Sequence, residues 1–273
     1  MPARPAAPDK RTGPYPRTDM LFNALSRSIR LVLTPIRERH FIVLPEKKLV
    51  YARVPKAANS SIKYTLAEHL DWKRDRREGS LGPNNDLFWL DGRAHGTDLL
   101  GAQSVVARHA DCFVFTYVRN PYDRVVSCYN NKIRIKDEIQ PSFARLGFSL
   151  GMSFAAFVEK VAETGDDRAD NHFRSQMDIL SHRGRYLPEF TGRCEDPDDW
   201  PKLQLRLREE IGFEIGPLQT RHVKRQGRDD LIDYYADPAL VRMVRERYPT
   251  DFEHLYADAA DLPAALKQLN ATG

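Results

Sequence analysis

The chain has 273 residues, of which 41% are hydrophobic and 29% charged, and its formal net charge is +4. This composition is not that of a disordered protein, because it supplies enough apolar side chains to bury a sizeable core. The small positive excess suits an anionic ligand without requiring one. The three cysteines lack metal-ligand spacing, so we expect reduced thiols in a cytoplasmic protein, with a single disulfide as the alternative.

The N-terminal region, residues 1–38, is predicted to be an arm followed by an amphipathic segment. Its first 20 residues are rich in Pro, Arg and Lys and lack an apolar core, which is typical of a flexible arm. In Met20–Ile36, Arg27 and Arg30 interrupt the apolar residues, so the segment is too polar to span a membrane. We expect a helix packed on the domain, with a membrane-surface helix as the alternative and no stable membrane insertion.

The most informative stretch is a strand, a polar loop and a helix. Residues 49–54 form an apolar, β-branched run typical of a buried strand, and Ile62, Leu66 and Leu70 then recur at helical spacing. The loop between them contains Lys56 and several small residues. Unpaired N–H groups at the start of a helix, together with a lysine, favour binding of a phosphate or sulfate. The alternative is an ordinary turn capped by Asn59 or Ser60.

A second strand and helix follow the same plan. Residues 112–118 read as a strand, and Pro121 suits the first turn of the next helix because its missing N–H costs nothing there. Arg119 is then placed at the carboxyl end of the strand, with Ser127 in the helix. Open α/β sheets bind their ligands at this edge.

Both segments resemble one family. Residues 54–61 resemble the 5′-phosphosulfate-binding loop of sulfotransferases that use 3′-phosphoadenosine-5′-phosphosulfate (PAPS), and residues 118–129 resemble their 3′-phosphate-binding segment. The resemblance is greatest to the carbohydrate sulfotransferases and their bacterial relatives. It implies a three-layer α/β domain, P-loop NTPase-like, with a central mainly parallel sheet flanked by helices. It covers roughly residues 41–257, strongly at the two segments and softly elsewhere.

The resemblance also assigns the site residues. The donor-binding residues that it implies are Lys56, Ala57, Ala58, Asn59, Ser60, Ser61, Arg119 and Ser127, together with Lys224 and Arg225 in a basic loop expected to close over the nucleotide. Lys56 is expected to stabilise the charge that develops on the bridging oxygen. No metal is required by this chemistry.

Two histidines compete for the role of general base. His95 lies between the two donor-binding segments, in a stretch that resembles the place of a His in related enzymes. His172 lies in a second family-like segment, where it is the rival base or a substrate contact. An imidazole suits the role because it titrates near neutral pH. Arg174 and Gln176 are expected to contact a charged sugar, and Glu195 either orients Arg193 or a substrate hydroxyl or is a surface carboxylate.

Residues that typically begin or end helices predict several further elements. We expect a helix over 152–164, a helix from 198 that ends at Gly212, and a helix capped by Asp237 with Pro238 in its first turn. Thr250 and Glu253 have capping-box spacing. Residues 84–98 read as a loop.

The sequence therefore predicts a PAPS-dependent O-sulfotransferase with a domain at 39–260 and a C-terminal tail at 261–273. Its partner is a glycan or other hydroxyl-bearing acceptor; nucleic acid is not expected, and the oligomeric state is not predicted. Two alternatives remain: a non-catalytic polyanion-binding module and a nucleotide-dependent kinase. The kinase is disfavoured because Ala57 and Ala58 stand where a P-loop has glycines.

Overall fold

This computed structural model describes residues 35–70, 81–90, 96–219 and 229–270. The chain divides into two units, Met1–Arg39 and His40–Gly273. In the first unit the described structure is a 3₁₀ turn at Ile36–Glu38; the predicted arm and most of the predicted amphipathic segment lie outside the described residues. The elements that follow all belong to the second unit.

A five-stranded sheet forms the centre of the second unit. Its strands are β1 (Phe41–Leu44), β2 (Leu49–Ala52), β3 (Asp98–Leu100), β4 (Phe113–Val118) and β7 (Phe190–Arg193), and a separate hairpin pairs β5 (Ser181–His182) with β6 (Arg185–Tyr186). The order across the sheet is β3-β1-β2-β4-β7. Pairs β2–β4 and β4–β7 are parallel, whereas β1 is antiparallel to both β2 and β3. Within the five-stranded sheet, every strand except β1 therefore runs in the same direction.

Helices connect the strands. They are α1 (Asn59–Ala67), α2 (Asp86–Leu90), α3 (Ala102–Arg108), α4 (Pro121–Tyr129), α5 (Pro141–Ala144), α6 (Phe154–Glu163), α7 (Gln176–Leu180), α8 (Asp199–Ile211), α9 (Asp229–Tyr234), α10 (Pro238–Arg247), α11 (Pro249–Leu255) and α12 (Leu262–Asn270). A π-helical turn, Asn130–Arg134, follows α4 directly, and 3₁₀ turns lie at Pro45–Lys47 and Ala257–Ala259. No helix of the described segments has both the length and the apolar character needed to cross a membrane.

The sheet has a hydrophobic core on each face. Along β2, Val50 and Ala52 belong to one core and Leu49 and Tyr51 to the other, as the alternation of side chains in a strand requires. The first core is completed by α4, α6, α10 and α11, and the second by α1, α2 and α8. The predicted three-layer α/β fold with a mainly parallel central sheet is confirmed.

Helix ends were predicted correctly where the residue that begins or ends the helix belongs to that helix or adjoins it. Asp237 accepts a hydrogen bond from the Ala239 N–H and α10 starts at Pro238, while Gly212, at φ +64°, ends α8. The predicted capping box at Thr250 is wrong, since α11 starts at Pro249 and Thr250 lies inside it. Residues 84–98 are not a continuous loop, because they contain α2 and the first residue of β3. The predicted tail contains α12.

Candidate active site

The loop between β2 and α1 presents backbone donors at the edge of the sheet. Lys56 and Ala58 both have left-handed backbone angles, with φ of 71° and 50°. The first hydrogen bond of α1 runs from the Ile62 N–H to the Ala58 carbonyl, at 3.0 Å. The N–H groups of Asn59, Ser60 and Ser61 therefore have no acceptor within the helix. An anion at this position would be bound by backbone dipoles.

The alternative of an ordinary capped turn is wrong. Ala58 is the N-cap of α1, and no side chain of the described residues caps this end of the helix. The Asn59 side chain instead accepts a hydrogen bond from the Tyr51 hydroxyl at 3.4 Å. The loop thus keeps its backbone donors available, as the anion-binding interpretation requires.

Lys56 is a partly buried cation among other cations. Burial lowers its pKa to about 8; Cys128 opposes this shift, whereas the charges of Arg119, Lys132 and Arg124 each add to it. Cys128 itself is fully buried, which raises its pKa to about 12 and keeps the thiol neutral. A dianion placed here would restore the charge of Lys56, because an opposite charge favours the protonated ammonium.

Arg119 begins the segment that follows β4. Its guanidinium forms a two-point ion pair with Asp123, at 2.6 and 2.8 Å, and its Nη1 donates to the Lys56 carbonyl at 3.2 Å. Burial opposes the charge of Arg119, but the ion pair outweighs it and raises the pKa of Arg119 above its ordinary value. These bonds use three of the five guanidinium N–H groups, so, with respect to the described residues, two are left to donate to a phosphate. Ser127 lies half-buried two turns along α4.

His172 is paired with a carboxylate. Its Nδ1 lies 2.6 Å from Asp170 Oδ1, and its side chain is 29% exposed. Burial lowers the pKa of His172, Asp170 raises it, and Lys132 and Lys56 lower it further. Burial raises the pKa of Asp170, but its bonds with His172 lower it overall. The pair is therefore a neutral imidazole held by an ionised carboxylate.

Arg124 joins the two loops of the site. It is 2% exposed, and its three guanidinium nitrogens donate to three backbone carbonyls: Nε to Pro55 at 3.1 Å, Nη1 to Arg174 at 2.7 Å and Nη2 to Asn171 at 3.0 Å. One acceptor precedes Lys56 in the chain and the other two flank His172. The anion loop and the histidine segment are thus fixed to the same side chain.

Comparison with known proteins identifies the family. A profile described as the sulfotransferase family matches residues 39–257, which is most of the chain. The chain belongs to the sulfotransferase family. A search of curated proteins and a search of solved structures each give no match.

As a member of that family, this sulfotransferase transfers sulfuryl groups, and the residues predicted from its sequence can be placed. The structure brings the loop at Lys56–Ser61, Arg119 and His172 to one region, past the carboxyl ends of β2 and β4, and it places Ser127 half-buried in α4. His95, Lys224 and Arg225 lie outside the described residues, so their predicted roles stay predictions.

Two predicted substrate contacts of the sulfotransferase need correction. Gln176 is fully buried, and its amide pairs with the backbone N–H and carbonyl of Arg119 at 3.0 and 2.9 Å, which continues the pairing at the end of β4. Glu195 is not a surface carboxylate: it is 4% exposed and accepts hydrogen bonds from the Asn120 N–H and the Tyr256 hydroxyl. Both residues are buried and bind the backbone of Arg119 or Asn120, so they hold the segment after β4 in place.

Three residues of the site were missed by sequence reasoning. Asp170 and Arg124 were not singled out, and neither was Lys132, which lies on the π-helical turn after α4, is 7% exposed and donates to Gln140 at 3.0 Å. The sequence carries one signal for Asp170, its position two residues before His172. For Arg124 it carries none, because the carbonyls that it binds lie 47 to 69 residues away.

Proposed function

We propose that the chain transfers the sulfuryl group of PAPS to a hydroxyl of a carbohydrate or glycan, with His172 as the general base. One observation carries this proposal: an uncapped helix start beside Lys56, the guanidinium of Arg119 and a carboxylate-bound imidazole lie around the same edge of the sheet. Positive charges lie close together here: the charges of Arg119, Lys132 and Arg124 all act on Lys56, while Asp123 and Asp170 pair with Arg119 and His172.

The residues present fit the donor. The N–H groups of residues 59–61 and the Lys56 ammonium suit its phosphosulfate, while the two remaining N–H groups of Arg119, with the Ser127 hydroxyl, suit its 3′-phosphate. Bound PAPS would supply an activated sulfuryl group with a nucleotide leaving group. The requirement for a 3′-phosphate would separate PAPS from ATP and AMP.

The chain's own residues would divide the work of an in-line transfer. His172 Nε2 accepts the proton of the acceptor hydroxyl as its oxygen bonds to sulfur, and Asp170 holds the Nδ1–H and stabilises the imidazolium that forms. Lys56 and the loop N–H groups stabilise the negative charge that grows on the bridging oxygen as the bond from sulfur to that oxygen breaks. The low pKa of His172 keeps the imidazole neutral, and so able to accept a proton, at physiological pH.

Calorimetric titration with 3′-phosphoadenosine-5′-phosphate, the product nucleotide, tests the donor site. We expect tight binding to the wild-type protein, a loss of about tenfold to a hundredfold in Arg119→Ala, and much weaker binding of ATP and AMP. No binding by the folded wild-type protein would overturn the proposal. A polyanion-binding module would retain weakened binding in Lys56→Ala, whereas the enzyme would lose transfer altogether.

Single variants of the two histidines test the base. We expect His172→Ala to lower kcat by about a hundredfold or more while leaving nucleotide affinity unchanged. His95→Ala, the alternative, would then have a smaller effect. Transfer of radiolabelled sulfate to a panel of unsulfated polysaccharides and simple sugars provides the rate.

A further inference from the structure

Arg124 forms hydrogen bonds to two separate loops through one buried side chain. Its side chain leaves α4 and is almost fully buried, and each of its three nitrogens donates to a backbone carbonyl at 2.7 to 3.1 Å. A planar guanidinium is the side chain whose rigid fork reaches several acceptors at once. The acceptors belong to two loops that are distant in sequence, one at Pro55 and one at Asn171–Arg174.

These two loops carry the two reacting sides of the proposed transfer. Pro55 immediately precedes Lys56, on the donor side, while Asn171 and Arg174 flank His172, on the acceptor side. We propose that Arg124 is a positioning residue, which sets the distance between the anion loop and the His172 imidazole. This inference rests on the proposed function, because it assigns a role to Arg124 only where His172 takes the proton.

Two of the three carbonyls that Arg124 binds belong to the histidine segment, and one belongs to the donor loop. Arg119 Nη1 donates to the Lys56 carbonyl at 3.2 Å and stays in place when Arg124 is changed. The histidine segment keeps the hydrogen bond from the Tyr248 hydroxyl to the Phe173 carbonyl, at 2.6 Å, but the Asn171 and Arg174 carbonyls on either side of His172 lose their bonds from Arg124. A shift of about 1 Å in a catalytic group costs about a hundredfold in rate. Loss of Arg124 therefore acts on the turnover rate more than on nucleotide affinity.

The test compares Arg124→Lys with the wild type in two measurements, product-nucleotide affinity by calorimetry and kcat for sulfuryl transfer. A lysine keeps the charge but cannot reach all three carbonyls. We expect nucleotide affinity to change by less than about threefold and kcat to fall about tenfold to a hundredfold. Arg124→Gln, which keeps two N–H donors without the charge, is the second variant if the lysine protein fails to fold, and the same split is expected.

Arg247→Lys is the matched control. Arg247 is also buried, with a side chain 8% exposed, and it also donates to a backbone carbonyl, that of Val161, but it binds Asp166 rather than the two loops. A comparable loss of thermal stability with kcat unchanged is expected there. An equal fall of kcat in Arg247→Lys would overturn the proposal, because it would reflect general destabilisation.

A double mutant decides whether Arg124 acts through His172. In a His172→Gln background, Arg124→Lys is expected to lower kcat by less than about threefold, since the group that it positions is gone. The same fall in both backgrounds would overturn the positioning role while leaving the sulfotransfer mechanism intact. A wild-type protein that neither binds the nucleotide nor transfers sulfate would instead overturn the proposed function, and the positioning role with it.

Discussion

The surroundings of the Lys56 ammonium disfavour its positive charge. Burial and three neighbouring cations lower its pKa from 10.5 to about 8. The unfolded chain holds this proton more tightly than the folded chain does, so Lys56 destabilises the protein at neutral pH, and stability rises as pH increases from about 8 to 10.5. A difference of this size corresponds to about 3 kcal/mol. Sites that bind anions are expected to show such a cost before the ligand arrives.

Replacing Lys56 by an uncharged residue should therefore stabilise the unliganded protein. We expect Lys56→Met to raise the free energy of unfolding at neutral pH by about 1 to 3 kcal/mol and to abolish nucleotide binding. Urea denaturation measures the first effect and calorimetry the second. Lys47→Met, at an exposed lysine, is the control and should change stability by less than about 0.5 kcal/mol. A destabilised Lys56→Met protein would contradict the assignment.

The Asp170–His172 pair makes a prediction about pH. In Asp170→Asn, burial, Lys132 and Lys56 still lower the pKa of His172, while the carboxylate that raises it is gone. We expect the acid limb of kcat/KM to move to lower pH and kcat to fall about tenfold to a hundredfold, because the ring loses its orientation. The pH–rate profile measures both. Asp178→Asn, which removes a more exposed partner of Arg174, should leave the limb in place. An unchanged profile in Asp170→Asn would favour His95 as the base.

At the scale of the elements, two adjacent alanines in the anion loop have opposite environments. Ala58 has φ of 50°, a left-handed conformation that costs a residue with a Cβ about 1 kcal/mol, and it is partly exposed. Ala57 is fully buried in a core and is not among the residues with positive φ. The same substitution should therefore change stability in opposite directions at the two positions.

We expect Ala58→Gly to raise the free energy of unfolding by about 0.5 to 1 kcal/mol, because glycine adopts this conformation without strain. Ala57→Gly should lower it by about 1 kcal/mol, since a buried methyl group is lost and backbone entropy is gained by the unfolded chain. Urea denaturation of both variants measures the pair. Destabilisation by both would mean that the helix start in solution is not the left-handed one.

The sequence predicts features that depend on neighbouring residues, and it does not predict those that depend on residues far apart in the chain. The strand at 113–118 and the helix start at Pro121 are specified by neighbouring residues, so local patterns revealed them. Glu195 looked like a surface acid because its partners, Asn120 and Tyr256, lie 75 and 61 residues away. Thr250 has the spacing of a helix cap, but the carboxylate next to it, Asp251, accepts hydrogen bonds from the start of another helix, at Ser175, Gln176 and Met177. Those partners are about 75 residues away, so nothing in the neighbouring sequence indicates them. Local patterns therefore predicted the two loops at the edge of the sheet but not the residues, such as Arg124 and Glu195, that connect them to distant parts of the chain.

At the scale of the whole molecule, the C-terminal segment is hydrogen-bonded to the residues at the ends of β4 and β7. The Asn120 side chain donates to the Ala259 carbonyl at 3.2 Å, and Arg193 donates to the Leu255 carbonyl at 2.6 Å. Between them, Glu195 accepts from the Asn120 N–H at 2.7 Å and from the Tyr256 hydroxyl at 2.8 Å. One buried carboxyl group thus joins β4, β7 and the chain after α11. Arg119, next to Asn120, depends on this connection for its position.

Glu195 should stabilise the fold chiefly by accepting two buried hydrogen bonds. We expect Glu195→Ala to lower the free energy of unfolding by about 2 to 4 kcal/mol, because it leaves the Asn120 N–H and the Tyr256 hydroxyl without an acceptor. Glu195→Gln keeps an acceptor oxygen and should cost about 1 kcal/mol or less at neutral pH. Urea denaturation compares the two, with Glu189→Gln, an exposed glutamate that accepts from the Val114 N–H, as the control.

The pH dependence of Glu195→Gln separates the hydrogen bonds from the charge. Burial raises the pKa of Glu195 above 4.5, against the lowering effects of its two bonds. The folded wild-type protein therefore binds this proton more tightly than the unfolded chain, and it loses stability as pH rises from about 4.5 through the raised pKa. Glutamine does not titrate, so Glu195→Gln should compare more favourably with the wild type at neutral pH than at about pH 4.5. A difference between the two proteins that is the same at both pH values would mean that the carboxylate pays no desolvation cost in the fold.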